Sequence, residues 1–156
     1  MNDFVRALYD FTVAIRIEKT SSNPDYKYLA EFYNYAGVQH YELGQLEEAK
    51  NNYDLAVKFD NQNGIYLYNR GLVKSHLNKL EDAIDDYVHA LGFLSEPEYI
   101  YQTRVNKGIC LRRLGRLDES IEDLKKATDL KGDRPPALNN LGLSYFENHN
   151  YDEAIL

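Results

Sequence analysis

Apolar residues recur along the chain at the three-and-four spacing of helices buried on one side, and one pattern of small and large residues keeps returning. It reads Ala49, Tyr53, Ala56, then Ala83, Tyr87, Ala90, then Ser120, Leu124, Ala127. Steps of four and three residues place each trio on a single helical face. A glycine precedes each trio by twelve residues: Gly37, Gly71 and Gly108, with Gly142 in the same relation to Ala154. The glycines lie 34, 37 and 34 residues apart, inside NYAGVQHY, YNRGLVKS, VNKGICLR and NNLGLSYF, which otherwise read as helix. Glycine inside a helix costs about 1 kcal/mol relative to alanine. Four at a near-fixed period predict a packing reason, a second helix approaching closely.

Short breaks separate the two helices of each unit: ELGQLEEA, HLNKLEDA, RLGRLDES and ENHNYDEA. Gly44, Asn78 and Gly115 suit the left-handed end of a first helix. An acidic pair opens every second helix, from Glu47–Glu48 to Asp152–Glu153. Four such pairs read as charges that favour a helix N-terminus rather than as catalytic carboxylates. Ser95-Glu96-Pro97-Glu98 reads as a capping box that starts the next helix early.

With these residues in place, the chain resembles the tetratricopeptide repeat (TPR) family, whose signature is W-x2-L-G-x2-Y, then A-x3-F, then A and P. The repeats run 30–63, 64–100 and 101–134, with a truncated one over 135–156. Ala7, Phe11, Ala14 and Ile17 give the segment 2–18 the look of a second repeat helix without its first, and Thr20-Ser21-Ser22-Asn23-Pro24 breaks the chain after it. The resemblance implies an all-α fold, a right-handed α-α superhelix with three full repeats and partial repeats at both ends. Tyr33, Leu67, Arg104 and Leu138 stand where the signature has tryptophan. Asn61, Ser95 and Gly132 stand where it has proline. Arg70 and Lys107 replace the apolar residue before the glycine, which predicts less apolar packing between neighbouring first helices, with the basic stems along the core. Leu156 falls about three residues into a second helix, a stub too short to be stable alone. The expectation is a fragment of a longer array, or an end completed by a partner.

Composition narrows the function. A net charge of −7 argues against a duplex nucleic-acid binder. The single Cys110 permits no internal disulfide, which fits a reducing, cytoplasmic setting. No apolar run approaches the roughly 20 residues of a membrane span, and the N-terminus lacks a signal-peptide pattern. His40, His76, His89 and His149 hold unrelated repeat positions with no zinc spacing, and no glycine loop suits a phosphate. The protein is therefore expected not to be an enzyme and to need no metal or cofactor.

In this family the first helices line the concave face, and the resemblance implies that a ligand lies there. Asn69, Asn106 and Asn140 stand two residues before their glycines, and Asn34 and Asn139 three before. Such amides can bond the backbone of an extended peptide, or else bond one another within the array. Val38, Leu72, Ile109 and Leu143 each follow a glycine and, with Tyr35, Tyr41, Tyr68 and Phe146, form an apolar stripe. It either faces the ligand or buries itself in a tighter coil. Residues 101–134 carry nine Lys/Arg and six Asp/Glu, a local +3, and Arg112 and Arg113 could hold an acidic segment or simply face solvent. The carboxylate clamp of chaperone-binding repeats is not expected. Its places hold Asn34, Val38, Asn69, Gln102 and Asn106, of which only Asn69 fits. Shifting the frame by one repeat puts Tyr68 and Leu72 at the first two places, which also fail. The expected function is a protein–protein interaction module that binds a peptide or partner protein on its concave face. The alternative is a structural scaffold or spacer in a cytoskeletal, ciliary or other multiprotein assembly, contacting neighbours or further copies of itself through the repeat ends.

Overall fold

The structure, a computed structural model, describes residues 3–21, 24–132 and 134–155, with side chains for all of these except 3–5, 7, 8 and 155. Ser22, Asn23 and Leu156, and the side chain of Ala7, lie outside that description. Eight α-helices follow in order: α1 (Asp3–Thr20), α2 (Tyr26–Glu42), α3 (Leu46–Phe59), α4 (Gly64–His76), α5 (Leu80–Phe93), α6 (Pro97–Arg113), α7 (Leu117–Lys131) and α8 (Pro135–Glu147). A 3-10 turn covers Glu153–Ile155. The helices pair as α2 with α3, α4 with α5 and α6 with α7, each pair packing on the next, α1 lying on α2 and α8 on α7. The architecture is the expected all-α superhelix.

The repeated glycines are seats for the large residue of the second helix. A methyl group on Gly37 would lie 2.7 Å from the Tyr53 ring, on Gly71 2.8 Å from the Tyr87 ring, and on Gly108 2.7 Å from Leu124. At Gly142 the nearest atom would be the Ala154 carbonyl oxygen at 3.4 Å. Small residues beside the seat let the helix axes close up, and Ala49, Ala56, Ala83, Ala90 and Ala127 are wholly buried. Ser120, in the place of an alanine, stays satisfied: its hydroxyl donates to the Gly108 carbonyl at 2.8 Å and pairs with Ser144 Oγ at 2.9 Å. The first helices end on Gly44, Asn78, Gly115 and His149, all with φ between 60° and 74°.

Three local readings change. Helix α6 begins at Pro97 with Glu96 as its cap and no capping side chain, so Ser95 and Glu98 do not form a capping box. Glu98 is held instead by Arg134, Lys131 and Gln102. Arg70 and Lys107 place their charged heads, not only their stems, beside the core. Arg70 is bonded twice to Asp86, and Lys107 reaches Asp123 at 2.7 Å. In α1, Phe11 stacks on Tyr35 at 5.3 Å and Ile15 joins the core, whereas Ile17 is exposed.

Consecutive first helices touch, α2 with α4, α4 with α6 and α6 with α8. Among the described residues the second helices α3, α5 and α7 make no such contact with one another. A stack whose layers meet on one side and spread on the other is curved, with the first helices inside. That curvature gives the chain a concave face.

Candidate concave binding surface

The asparagines of this face are not equivalent. Asn34 is buried, and its Oδ1 accepts from Asn69 Nδ2 at 2.8 Å, so α2 and α4 are tied to each other there. Asn106 Nδ2 donates to the Tyr68 hydroxyl at 3.5 Å, the long end of a hydrogen bond, and that hydroxyl donates to Gln102 Oε1 at 3.2 Å. Asn140 donates to the Pro136 carbonyl of its own helix at 2.8 Å. Asn139 is exposed. Of the two readings open for these amides, bonding within the array accounts for Asn34 with Asn69 and for Asn140.

The apolar stripe grows more exposed toward α8. Val38, Leu72 and Ile109 are half-buried, Val38 against the Ala49–Tyr53–Val73 cluster and Ile109 against Tyr101 and Val105. Leu143 is 47% exposed and Phe146 60%. These two, with Pro135, Leu138 and Tyr151, line an open hollow of about 950 Å³. Tyr35 is exposed, and Tyr68 is buried against Tyr87 and Tyr99.

A second row runs along the C-terminal ends of the first helices. In two places the residue four after one glycine meets the residue five after the next, and between them Arg113 reaches back to Asn78. Tyr41 stacks on His76 with ring centres 5.5 Å apart, its hydroxyl 3.0 Å from Nδ1. Arg112 Nη1 donates to Glu147 Oε1 at 2.6 Å. Arg113 Nη2 donates to Asn78 Oδ1 at 2.8 Å. Both arginines thus bridge neighbouring repeats. Burial, reinforced by Glu42, raises the Tyr41 pKa.

Cys110 is buried and donates to Ser75 Oγ at 3.3 Å. Burial raises its pKa despite the hydrogen bond to Ser75, so at neutral pH it is a thiol and a poor nucleophile. Among the described residues no group of His, Cys, Asp and Glu is placed to hold a metal ion, and no helix is long and apolar enough to cross a membrane.

Between α4, α6 and α8 lies a smaller notch of about 320 Å³, lined among others by Tyr68, Glu98, Tyr101, Gln102, Asn106 and Arg134. Sequence reasoning picked out Asn106 and Tyr68 for the surface, weighed Gln102 only as a clamp place and Glu98 only as a cap, and passed over Tyr101 and Arg134. Nothing local marks the last four as one site, since they sit at the N-terminal ends of two different helices.

Comparison with known proteins agrees with this geometry. Residues 30–63 match a family model described as tetratricopeptide repeat, and residues 110–149 match a second, described as TPR repeat. No curated protein sequence matches the chain. Among solved structures, MamA is similar with a TM-score of 0.85 at 19% identity, over 98% of this chain and 83% of that one. YrrB, described as a TPR protein with an unusual peptide-binding site, is similar with a TM-score of 0.82 at 24% identity, over 99% and 74%. The first TPR of Spaghetti (RPAP3), bound to the HSP90 peptide SRMEEVD, has a TM-score of 0.73 at 20% identity, over 79% and 95%. At these identities the likeness is one of fold.

Proposed function

Since the chain is a tetratricopeptide-repeat protein, we propose that it is a protein–protein interaction module that holds an extended peptide segment of a partner along the concave face of α2, α4, α6 and α8. One observation carries the reading: this face presents apolar side chains in register between polar amides. Leu143 and Phe146 are 47% and 60% exposed, and they continue the row that Val38, Leu72 and Ile109 begin. Exposed apolar surface rimmed by hydrogen-bonding groups suits a protein ligand, burying apolar area while satisfying the ligand's backbone. Asn106 and Asn139 serve as the adaptable polar contacts, and Leu72, Ile109 and Leu143 as the apolar floor. Val38, Asn34, Asn69 and Asn140 shape the wall from behind, because packing or bonds within the array engage them. Arg112 and Arg113 fix the spacing of the repeats and lend positive charge to the C-terminal half. The peptide-bound and peptide-binding relatives add support at the level of the fold.

The test is selection of short random peptides on the immobilised chain. Leu72→Ser, Asn106→Ala and Leu143→Ser together should reduce retention about tenfold or more, the scale of losing a few interface anchors. Val88→Ser, on the outer helix α5, should leave it unchanged. Full retention by the triple variant overturns the reading.

A further inference from the structure

We propose that the notch between α4, α6 and α8 is a subsite for one acidic side chain, Asp or Glu, of the bound peptide; the proposal rests on the concave-face reading above. Tyr101 lines the notch, is 4% exposed, and its hydroxyl is buried with no hydrogen-bond partner. An orphaned buried hydroxyl costs stability and calls for a partner. The guanidinium of Arg134 lies over the Tyr101 ring, 5.2 Å from its centre. Among the described residues only Nη1 of that group is engaged in a hydrogen bond, 3.0 Å from each Glu98 oxygen. Nε and Nη2 have no hydrogen-bond partner among the described residues.

The remaining groups of the notch already serve one another. Glu98 also takes Gln102 Nε2 at 3.2 Å and Lys131 at 3.4 Å. These donors, Arg134 foremost, hold its carboxyl below the usual range, so it stays ionised at neutral pH and offers no proton to a ligand. Gln102 Oε1 receives the Tyr68 proton, and Tyr68 in turn receives the long bond from Asn106. What remains is donor-rich: the Tyr101 hydroxyl, the free guanidinium edge and the second N–H of Asn106. Among the described residues two cations, Arg134 of the notch and Lys131 beside it, bind the one anion Glu98, which leaves a net charge of +1 around that carboxylate. A guanidinium only donates, so it requires an acceptor, and a net positive charge favours an anionic one. A carboxylate on an extended peptide meets both conditions, and the notch of about 320 Å³ has room for such a side chain.

The experiment uses the same selection of random peptides, followed by sequencing of the retained pool. The proposal expects enrichment of Asp or Glu at one fixed position. Replacing that residue by its amide should weaken binding about tenfold or more, the scale of a hydrogen bond to a charged group. The preference should vanish with Arg134→Gln and weaken with Tyr101→Phe, while the apolar preferences of the pool persist. Tyr101→Phe removes an unpartnered hydroxyl and keeps the ring, so it should melt no lower than the parent, which separates loss of the subsite from loss of fold. A retained pool with no acidic position, or one whose acidic position ignores both variants, overturns the subsite and leaves the groove reading intact. If the parent chain retains no peptide at all, the groove reading fails, and the subsite with it.

Discussion

Arg70 grips Asp86 with two hydrogen bonds, Nε to Oδ2 at 2.8 Å and Nη2 to Oδ1 at 2.6 Å, joining the first helix of a pair to the second. Lys74 adds a third contact at 2.7 Å, and Asp86 is only 2% exposed. The pair takes an apolar place in the repeat at little net gain, since burying both charges offsets most of their attraction. Removing one partner is a different matter.

Asp86→Ala should lower the unfolding free energy by about 3–5 kcal/mol, because Arg70 and Lys74 are left without their buried counter-ion. Asp54→Ala removes the weaker Arg70 contact at 3.4 Å, at a site with 39% side-chain exposure, and should cost less than about 1 kcal/mol. Urea denaturation of the two variants checks the contrast. Equal effects would mean that the buried contact does not dominate.

The glycine seats predict opposite signs for one substitution. Gly71→Ala puts a methyl group 2.8 Å from the wholly buried Tyr87 ring, and overpacking of that kind costs about 1–3 kcal/mol. At Gly142 the nearest atom lies at 3.4 Å, so alanine should stabilise by about 0.5–1 kcal/mol through helix propensity. Chemical denaturation midpoints decide between these signs.

Alkaline pH should unfold the protein through its tyrosines. Burial raises the pKa of Tyr53 and Tyr87 and pushes that of Tyr66 up to about 12, against an ordinary 10.0. Above about pH 10 the unfolded chain releases tyrosine protons that the native state still holds. Unfolding is then favoured as pH rises. This stability is fully present below pH 10 and is lost progressively above it. Tyr87→Phe should flatten the loss, and it should not destabilise at neutral pH because the Tyr87 hydroxyl is buried without a partner. Denaturation from pH 7 to 11 measures both effects.

Cys110 should resist alkylation in the native protein. Its thiol is buried and burial raises its pKa. Iodoacetamide at pH 8 should modify it at least tenfold more slowly than in denaturant, since only the exposed thiolate reacts readily. Mass spectrometry follows the reaction, and equal rates would contradict the burial.

Much of the fold was legible because its signals are local. The spacing Gly37 to Ala49 to Tyr53 states which residues face each other across a pair, and the structure seats Tyr53 on Gly37 accordingly. The candidate surface was legible only in outline. The asparagines and the residues after each glycine carry no mark of whether they turn to a ligand or to the neighbouring repeat. Asn34 with Asn69, and Arg112 with Glu147, are joined across the array. The capping-box reading of Ser95 and Glu98 failed because Arg134, 36 residues away, draws Glu98 aside.

The sequence by itself determined the helices, their pairing and the period, because helical periodicity and close packing are written within some 34 residues. Only the tertiary structure decided which polar groups remain unpaired. Asp86 and Asp123 became buried counter-ions where the two helices of one repeat close on each other, and Tyr101, Glu98 and Arg134 came to share a notch through the way one repeat lies on the next. The notch depends on how neighbouring repeats stack, a property no single repeat encodes.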